Sequence, residues 1–220
     1  QTSWGTTTRL IGACIMTHSD NNGLVLPPAI APIQVVVVPV AQHKPGVLDA
    51  AAALRDRLTA LELRVKMDDS EQSPGWKYAQ YEMKGVPLRV EIGPRDIEAG
   101  TCVVVSRDNR EKTVVAMDEL AQRVSELLET YRARLYEKAL QNREARTTAA
   151  RTMEEIKEQS AAGNGFIKTM WCGELACEEA MKEQAGLTSR CMPFAQENLG
   201  DVCPICGKPA KTMVIWGKAY

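Results

Sequence analysis

The sequence predicts an α/β chain: a mixed sheet with flanking helices, followed by a small α+β unit organised by cysteines. Three observations predict it. Four consecutive valines stand between Pro32 and Pro39 and are followed by an amphipathic helical stripe, the opening of a βαβ unit. Val86, Leu88, Val90 and Ile92 alternate with Pro87, Arg89, Glu91 and Gly93, the period of a strand. Four of the seven cysteines fall at the carboxyl end, as Cys172, Cys177, Cys203 and Cys206.

Composition narrows the class. With 220 residues, 45% hydrophobic and 25% charged, the chain has material for one large domain or two small ones, and is neither disordered nor collagen-like. The longest apolar stretch, residues 33–41, is broken by Gln34 and Pro39 and is about half the ~20 residues a spanning helix needs. A net charge of -1 argues against coating nucleic acid through bulk positive charge, although a local basic face stays open. The chain begins Gln1-Thr2-Ser3 without an initiator Met or a basic leader, so it is expected to be part of something longer. An odd cysteine count without a secretory leader reads as reduced thiols, some of them metal ligands.

In chain order, residues 10–16 are apolar nearly all round and follow Gly5-Thr6-Thr7-Thr8-Arg9, which predicts a short buried helix ending near His18. Asp20-Asn21-Asn22-Gly23 and Pro27-Pro28 mark residues 19–32 as a connector. Residues 33–40 form a central parallel strand buried on both faces. Leu48, Ala51, Leu54, Leu58 and Leu61 then make a helical stripe, and residues 64–67 a second strand. Ser73-Pro74 opens a helix bearing Trp76, Tyr78 and Tyr81, and Gly85 closes it. The alternating segment from Val86 is a half-buried strand. Residues 102–105 and 113–116 flank the polar turn 107–110 as paired strands. Asp118 caps a long helix with Leu120, Val124, Leu127, Leu128, Tyr131 and Leu135 on its stripe. Helical composition runs on towards Gly163, too long for one globular helix, so a break is expected near Asn142. Gly163-Asn164-Gly165, where composition and cysteine density change, reads as the best domain boundary.

The cysteine quartet carries the strongest chemical signal. Zinc takes four thiolates at tetrahedral corners, and each close pair supplies one edge from a tight turn. In Cys203-Pro204-Ile205-Cys206-Gly207 the proline stiffens the turn and the glycine admits positive φ, freeing backbone N–H groups to bond sulfur. The bland alternative is four reduced cysteines. Cys191, Cys14 and Cys102 read as packed apolar residues. His18 and His43 have no partner that suggests a triad or a metal site. Trp4-Gly5-Thr6-Thr7-Thr8-Arg9 is either an ordinary helix start or a place where backbone and guanidinium approach a phosphate. Gly93-Pro94-Arg95-Asp96 sets an Arg and an Asp at the carboxyl end of the clearest strand, where α/β sheets bind ligands, and both types can read base edges; a surface turn is the alternative. The basic run over residues 132–151 reads as a solvated face or a phosphate contact.

These segments together resemble the prolyl-tRNA synthetase family of class II synthetases. Gln1-Thr2-Ser3-Trp4-Gly5 with Thr7-Thr8-Arg9 is similar to the third signature motif, and Gly23-Leu24-Val25-Leu26-Pro27-Pro28, Ser73-Pro74-Gly75-Trp76-Lys77, Lys84-Gly85-Val86-Pro87, Glu91-Ile92-Gly93-Pro94-Arg95-Asp96 and the cysteine tail follow in the family's order. The tail resembles the eukaryote-like or archaeal-like type. Ala29 and Ser19 depart from the pattern, where relatives carry an arginine and a glycine.

The resemblance implies three domains: 1–32, the end of a class II catalytic domain; 33–140, an anticodon-binding domain; and 141–220, a linker helix with a zinc-binding domain. It implies activation of proline by ATP with Mg2+ and transfer to tRNA-Pro, in a cytoplasmic homodimer with no membrane association; membership of a multi-synthetase complex is left open. Arg9 would act catalytically on the ATP phosphates, with Ser3, Trp4, Gly5 and Thr7 lining the proline and nucleotide pocket. Arg95 and Asp96, then Glu91, Lys84 and Lys77, would contact the anticodon. Cys172, Cys177, Cys203 and Cys206 would hold structural zinc, and Tyr220 would approach the active site. The first and second signature motifs are not in this sequence, so the 220 residues alone are expected not to aminoacylate. A non-catalytic tRNA-binding or scaffold module is the rival reading.

Overall fold

The computed structural model describes residues 3, 5–163 and 165–218, and the chain divides into two compact units, residues 1–139 and 140–220. Both are mixed α/β. In the first unit, α1 (Arg9–His18) leads through residues 19–32 to a five-stranded sheet. Its elements are β1 (Val35–Pro39), α2 (Val47–Thr59), β2 (Val65–Met67), α3 (Pro74–Met83), β3 (Leu88–Ile92), α4 (Pro94–Ala99), β4 (Thr101–Ser106), β5 (Lys112–Ala116) and α5 (Leu120–Ala145), the last running across the division. The strand order is β2-β1-β3-β4-β5, with β1 parallel to both neighbours and the β3–β4 and β4–β5 pairs antiparallel.

The valine run determines this arrangement. Val35 and Val37 pack with Ala51, Leu54 and Leu58 of α2 on one face, while Val36 and Val38 meet Tyr81 and Val86 on the other. A strand covered on both sides must be apolar throughout, and all four valines are fully buried. The stripe on α2 is Val47, Ala51, Leu54 and Leu58: Val47 replaces the expected Leu48 at one end, and the stripe stops before Leu61, which lies past the helix; Leu48 and Leu61 face solvent. Ser73 caps α3, its hydroxyl accepting from the Trp76 N–H at 3.4 Å.

The alternation in β3 separates core from a covered polar layer rather than from water. Leu88, Val90 and Ile92 enter the core, but Arg89 is also buried: it donates to Glu91 at 2.9 Å and Glu82 at 3.1 Å and stacks 4.0 Å above the Tyr78 ring. Burial and the Glu91 carboxylate push the Tyr78 phenol up to about 12.

Two expectations are corrected here. The helix α1 is present, yet none of its residues is buried: Leu10, Ile11 and Met16 are 61%, 62% and 69% exposed. An apolar face records what a helix needs to bury, and here Cys14 and Ile15 are only half-buried while Leu10, Ile11 and Met16 face outward. The long helix stays unbroken through Asn142 to Ala145, and the chain then turns into a strand rather than a second stretch of the same helix.

Residues 19–32 lie against the first unit's sheet domain. Arg107 donates two bonds to the Asp20 carboxylate, at 2.7 and 2.8 Å, and a third to the Glu82 carbonyl at 2.9 Å. That guanidinium holds the Asp20 carboxyl well below the usual carboxylate range. Farther on, Arg64 donates to the carbonyls of Ala31, Pro28 and Ala29 at 2.8, 2.8 and 3.1 Å. Between them the Leu24 N–H reaches the Met83 carbonyl, and Val25 is buried with Tyr131 and Leu135.

The second unit contains β6 (Thr147–Ala149), α6 (Met153–Ala161), β7 (Phe166–Trp171), α7 (Leu175–Ala185), β8 (Leu187–Cys191) and β9 (Thr212–Lys218). Its sheet has the order β6-β7-β9-β8, parallel between β6 and β7 and antiparallel elsewhere. Ile167, Val214 and Trp216 pack with Ile156, Met181 and Leu187. The boundary expected at Gly163-Asn164-Gly165 is corrected: Gly163 and Gly165 lie within this unit, between α6 and β7, and the chain divides at 139/140 instead. Among the described residues, no helix is long and apolar enough to cross a membrane.

The connector's close approach is testable through its glycine. Gly23 has φ +129°, and a Cβ there would lie 2.4 Å from the Met83 Cα, whereas Gly46 has φ +79° and open space around it. Gly46→Ala is expected to cost about 1 kcal/mol, the backbone term alone, and Gly23→Ala about 3 kcal/mol or more. Urea unfolding of the two variants measures both; equal costs would show that the connector does not pack this tightly.

Candidate metal centre and nucleic-acid interface

The four carboxyl-terminal cysteines come from three pieces of backbone. Cys172 follows the end of β7, Cys177 sits on the first turns of α7, and Cys203 and Cys206 lie on a hairpin closed by the Val202–Pro209 bridge. Gly207 has φ +73°, its N–H bonds the Cys203 carbonyl at 2.8 Å, and the Cys203 N–H bonds the Lys208 carbonyl at 2.8 Å. The positive φ at Gly207 is as expected, whereas these two N–H groups go to carbonyls rather than to sulfur.

All four sulfurs lie within 4.8 Å of one another, with Cys172 to Cys177 at 3.6 Å and Cys206 to Cys172 at 3.7 Å. Sulfurs placed 2.3 Å from a tetrahedral ion are about 3.8 Å apart, so the cluster is dimensioned for one metal ion held by four thiolates. The backbone N–H of Lys208 draws the Cys206 thiol down, while burial and the neighbouring thiols push Cys177 up. Cys177 and Cys203 are buried, Cys172 is half-buried and Cys206 is exposed. Met170, Ala210 and Met213 pack around the cluster. Cys102 is in the core as expected, Cys14 is half-buried, and Cys191 is exposed at the end of β8 rather than packed. The bulge between Ser189 and Cys191 accompanies this exposure.

The Gly-Pro-Arg-Asp segment is a helix start rather than an open turn. Asp96 accepts the Gly93 N–H at 2.8 Å, which closes the first turn of α4 at the carboxyl end of β3. Asp96 is therefore half-buried and engaged with backbone, while Arg95 beside it is exposed. Glu91 is half-buried and held by Arg89. Lys84 is exposed, its ammonium 5.7 Å from the Tyr81 ring centroid.

Lys77 lies inside. It is 1% exposed and donates to the Asp68 carbonyl at 2.8 Å and Gln42 at 3.0 Å, with the Asp68 carboxylate 3.8 Å away. Gln42 in turn donates to the carbonyls of Asp69 and Ser70, both at 3.0 Å, so Lys77 ties the β2–α3 loop to the segment after β1. Sequence spacing places Lys77 on α3 but cannot tell which face it occupies.

At the amino end, Ser3, Gly5, Thr7 and Arg9 are all exposed. The Thr7 hydroxyl accepts the Arg9 N–H at 3.3 Å, so the start of α1 fixes the Arg9 backbone while its side chain faces out. Trp4 and Tyr220 lie outside the described residues.

Comparison with known proteins places the two units side by side with one kind of protein. The profile of the family described as "Anticodon binding domain" matches residues 34–127, and that of "Prolyl-tRNA synthetase, C-terminal" matches residues 153–220. Proline–tRNA ligase from Lachnospira eligens is 59% identical over 220 residues, all of this chain and 46% of the relative. The one from Lachnoclostridium phytofermentans is 58% identical over the same span. The crystal structure of prolyl-tRNA synthetase from Cryptosporidium parvum, complexed with L-proline and AMP, superimposes with a TM-score of 0.90 at 36% identity, covering 97% of this chain and 46% of that one. The chain thus spans about half the length of the relatives it matches.

The different settings of the two basic residues predict opposite responses. Lys77→Met removes the donor to the Asp68 carbonyl and to the Gln42 side-chain carbonyl and is expected to lower unfolding free energy by about 1–3 kcal/mol, while Arg95→Ala changes it by less than about 0.5 kcal/mol. Thermal and urea unfolding distinguish them, and an unchanged Lys77→Met variant would show that the buried network is not holding the loop.

Proposed function

This chain belongs to the prolyl-tRNA synthetase family, and on that premise we propose that the protein carrying it activates proline with ATP and transfers it to tRNA-Pro. The reading is supported above all by the order of the two family matches, the anticodon-binding profile falling within the first compact unit and the prolyl-specific carboxyl-terminal profile within the second. The relative bound to L-proline and AMP supplies the substrate chemistry.

In this reading Arg9 places a permanently charged guanidinium where the ATP phosphates lie, and charge developing in adenylate formation is stabilised without a proton transfer. Ser3, Gly5 and Thr7, with Trp4, line the proline and nucleotide pocket, and Mg2+ accompanies ATP as part of the substrate. Residues 33–140 read the anticodon. Arg95 is the residue that donates to base edges; Asp96 fixes the turn from which it projects, and exposed Lys84 adds attraction to phosphate. Glu91 and Lys77 shape the surface from behind. The protein works as a cytoplasmic homodimer. Zinc held by Cys172, Cys177, Cys203 and Cys206 cross-links β7, α7 and the hairpin, a structural role with no part in the reaction.

The anticodon assignment is tested by binding to tRNA-Pro and to the same tRNA with its anticodon guanines replaced, at one fixed salt concentration. Each replaced base is expected to cost about 1–3 kcal/mol, and Arg95→Ala to erase the difference between the two tRNAs. Equal affinity of the unaltered protein for both would sink the assignment.

Metal analysis addresses the cysteines. About one zinc per chain is expected, falling to none in Cys203→Ser, with a lower melting temperature because metal binding is coupled to folding of this unit. A fully stable, metal-free preparation would remove the structural role.

A further inference from the structure

The connector between α1 and β1 is fastened more firmly than a chain passing over a surface requires. Its first half is held by Arg107, a residue only 4% exposed, which spends three guanidinium N–H bonds on the Asp20 carboxylate and the Glu82 carbonyl. Arg107 is itself fixed, because its backbone N–H bonds the Pro87 carbonyl at 2.9 Å. The second half is held by the three bonds from Arg64 to Pro28, Ala29 and Ala31. The two arginines therefore pin opposite ends of one segment.

Asp20 stands two residues beyond the last residue of α1, and the intervening Ser19 N–H still bonds the Ile15 carbonyl at 2.9 Å. No residue of α1 is fully buried, with Cys14, Ile15 and His18 half-buried, so the clamp just beyond its last residue is a fixed point for the helix. A bidentate guanidinium–carboxylate pair fixes both distance and orientation, which a lysine or an amide in either place would not. The same helix begins with Arg9, and the domain receiving the clamp bears Arg95.

We propose that Asp20 and Arg107 are positioning residues for aminoacylation: their ion pair locks the helix that begins with Arg9 to the domain that bears Arg95. Neither touches substrate. This inference rests on the function proposed above. A tRNA seated on Arg95 presents its acceptor end to Arg9 only while the two share one frame, and a small angular error at the joint becomes a large displacement at the far end of a long ligand. Adenylate formation, which uses proline and ATP alone, does not depend on that frame.

The test uses the full-length protein that carries this chain, with Asp20→Asn and Arg107→Lys made singly and together. For each, proline-dependent ATP–pyrophosphate exchange, the kcat/KM of aminoacylation for tRNA-Pro and the melting temperature are measured. Asp20→Asn is expected to leave exchange within about twofold and to lower kcat/KM for tRNA about tenfold, with the double variant no worse than the worse single one. Arg107→Lys, which keeps charge but loses the fork, is expected to give the same split. Equal loss of both reactions would show a general structural role and overturn the proposal, as would no loss of either or additive losses. If Asp20→Asn does not yield folded protein, Arg107→Lys decides by the same comparison. Failure of the unaltered enzyme to charge tRNA-Pro would instead refute the proposed function, a separate outcome.

Discussion

The first unit depends on the burial of one short strand on both faces. Four fully buried valines contribute roughly 6–12 kcal/mol of transfer free energy, and they do so only if helices cover both sides of β1. That requirement gives β1 a parallel neighbour on each side and sends α2 and α3 to opposite faces. It also sets the direction of β3, whose carboxyl end delivers Gly93 and Arg95 to the edge of the domain. The exposed arginine is therefore placed by a packing constraint several elements away from it.

The second unit meets a different problem. Its sheet has four strands, one of only three residues, and its apolar residues fall into two small clusters. Small domains bury too little surface to be stable by packing alone, which is where cross-links are commonly found. The four sulfurs come together from the end of a strand, the start of a helix and a hairpin far along the chain. The residues around them, Met170, Ala210 and Met213, are small or adaptable apolar side chains that fill the remaining space.

How much of this was legible in the sequence follows from where each signal resides. The valine run, the alternation in β3, the Ser73-Pro74 cap and the Cys203–Gly207 turn are local patterns, and the structure contains each of them. Features that depend on what lies across from a residue were not legible. The apolar surface of α1 reads as burial because periodicity records hydrophobicity and not the presence of a partner. Arg89 reads as solvent-facing because alternation cannot reveal that Tyr78 and Glu82 cover that side. The end of α5 was misplaced because Arg143, Glu144 and Ala145 are good helix formers, and pairing of β6 with β7, not composition, pulls the chain out of the helix after them.

The same distinction separates residues that share a motif. In Gly93-Pro94-Arg95-Asp96 the carboxylate is committed to the Gly93 N–H, so its negative charge serves the turn, while Arg95 retains its full reach. Lys77 and Lys84 divide likewise along one helix and its end: seven residues apart, they are two turns apart on nearly the same side, yet Lys77 is enclosed by Gln42 and Asp68 and Lys84 is exposed at the carboxyl cap. A charged residue costs several kcal/mol to bury unless its hydrogen bonds are met, so an enclosed lysine with two carbonyl partners has to be paid for by the loop it organises. Recognition surfaces of this kind consist of few outward groups resting on many inward ones. Substitution of an inward group disturbs binding only by disturbing the fold, and that makes the order of measurement matter: stability first, affinity second.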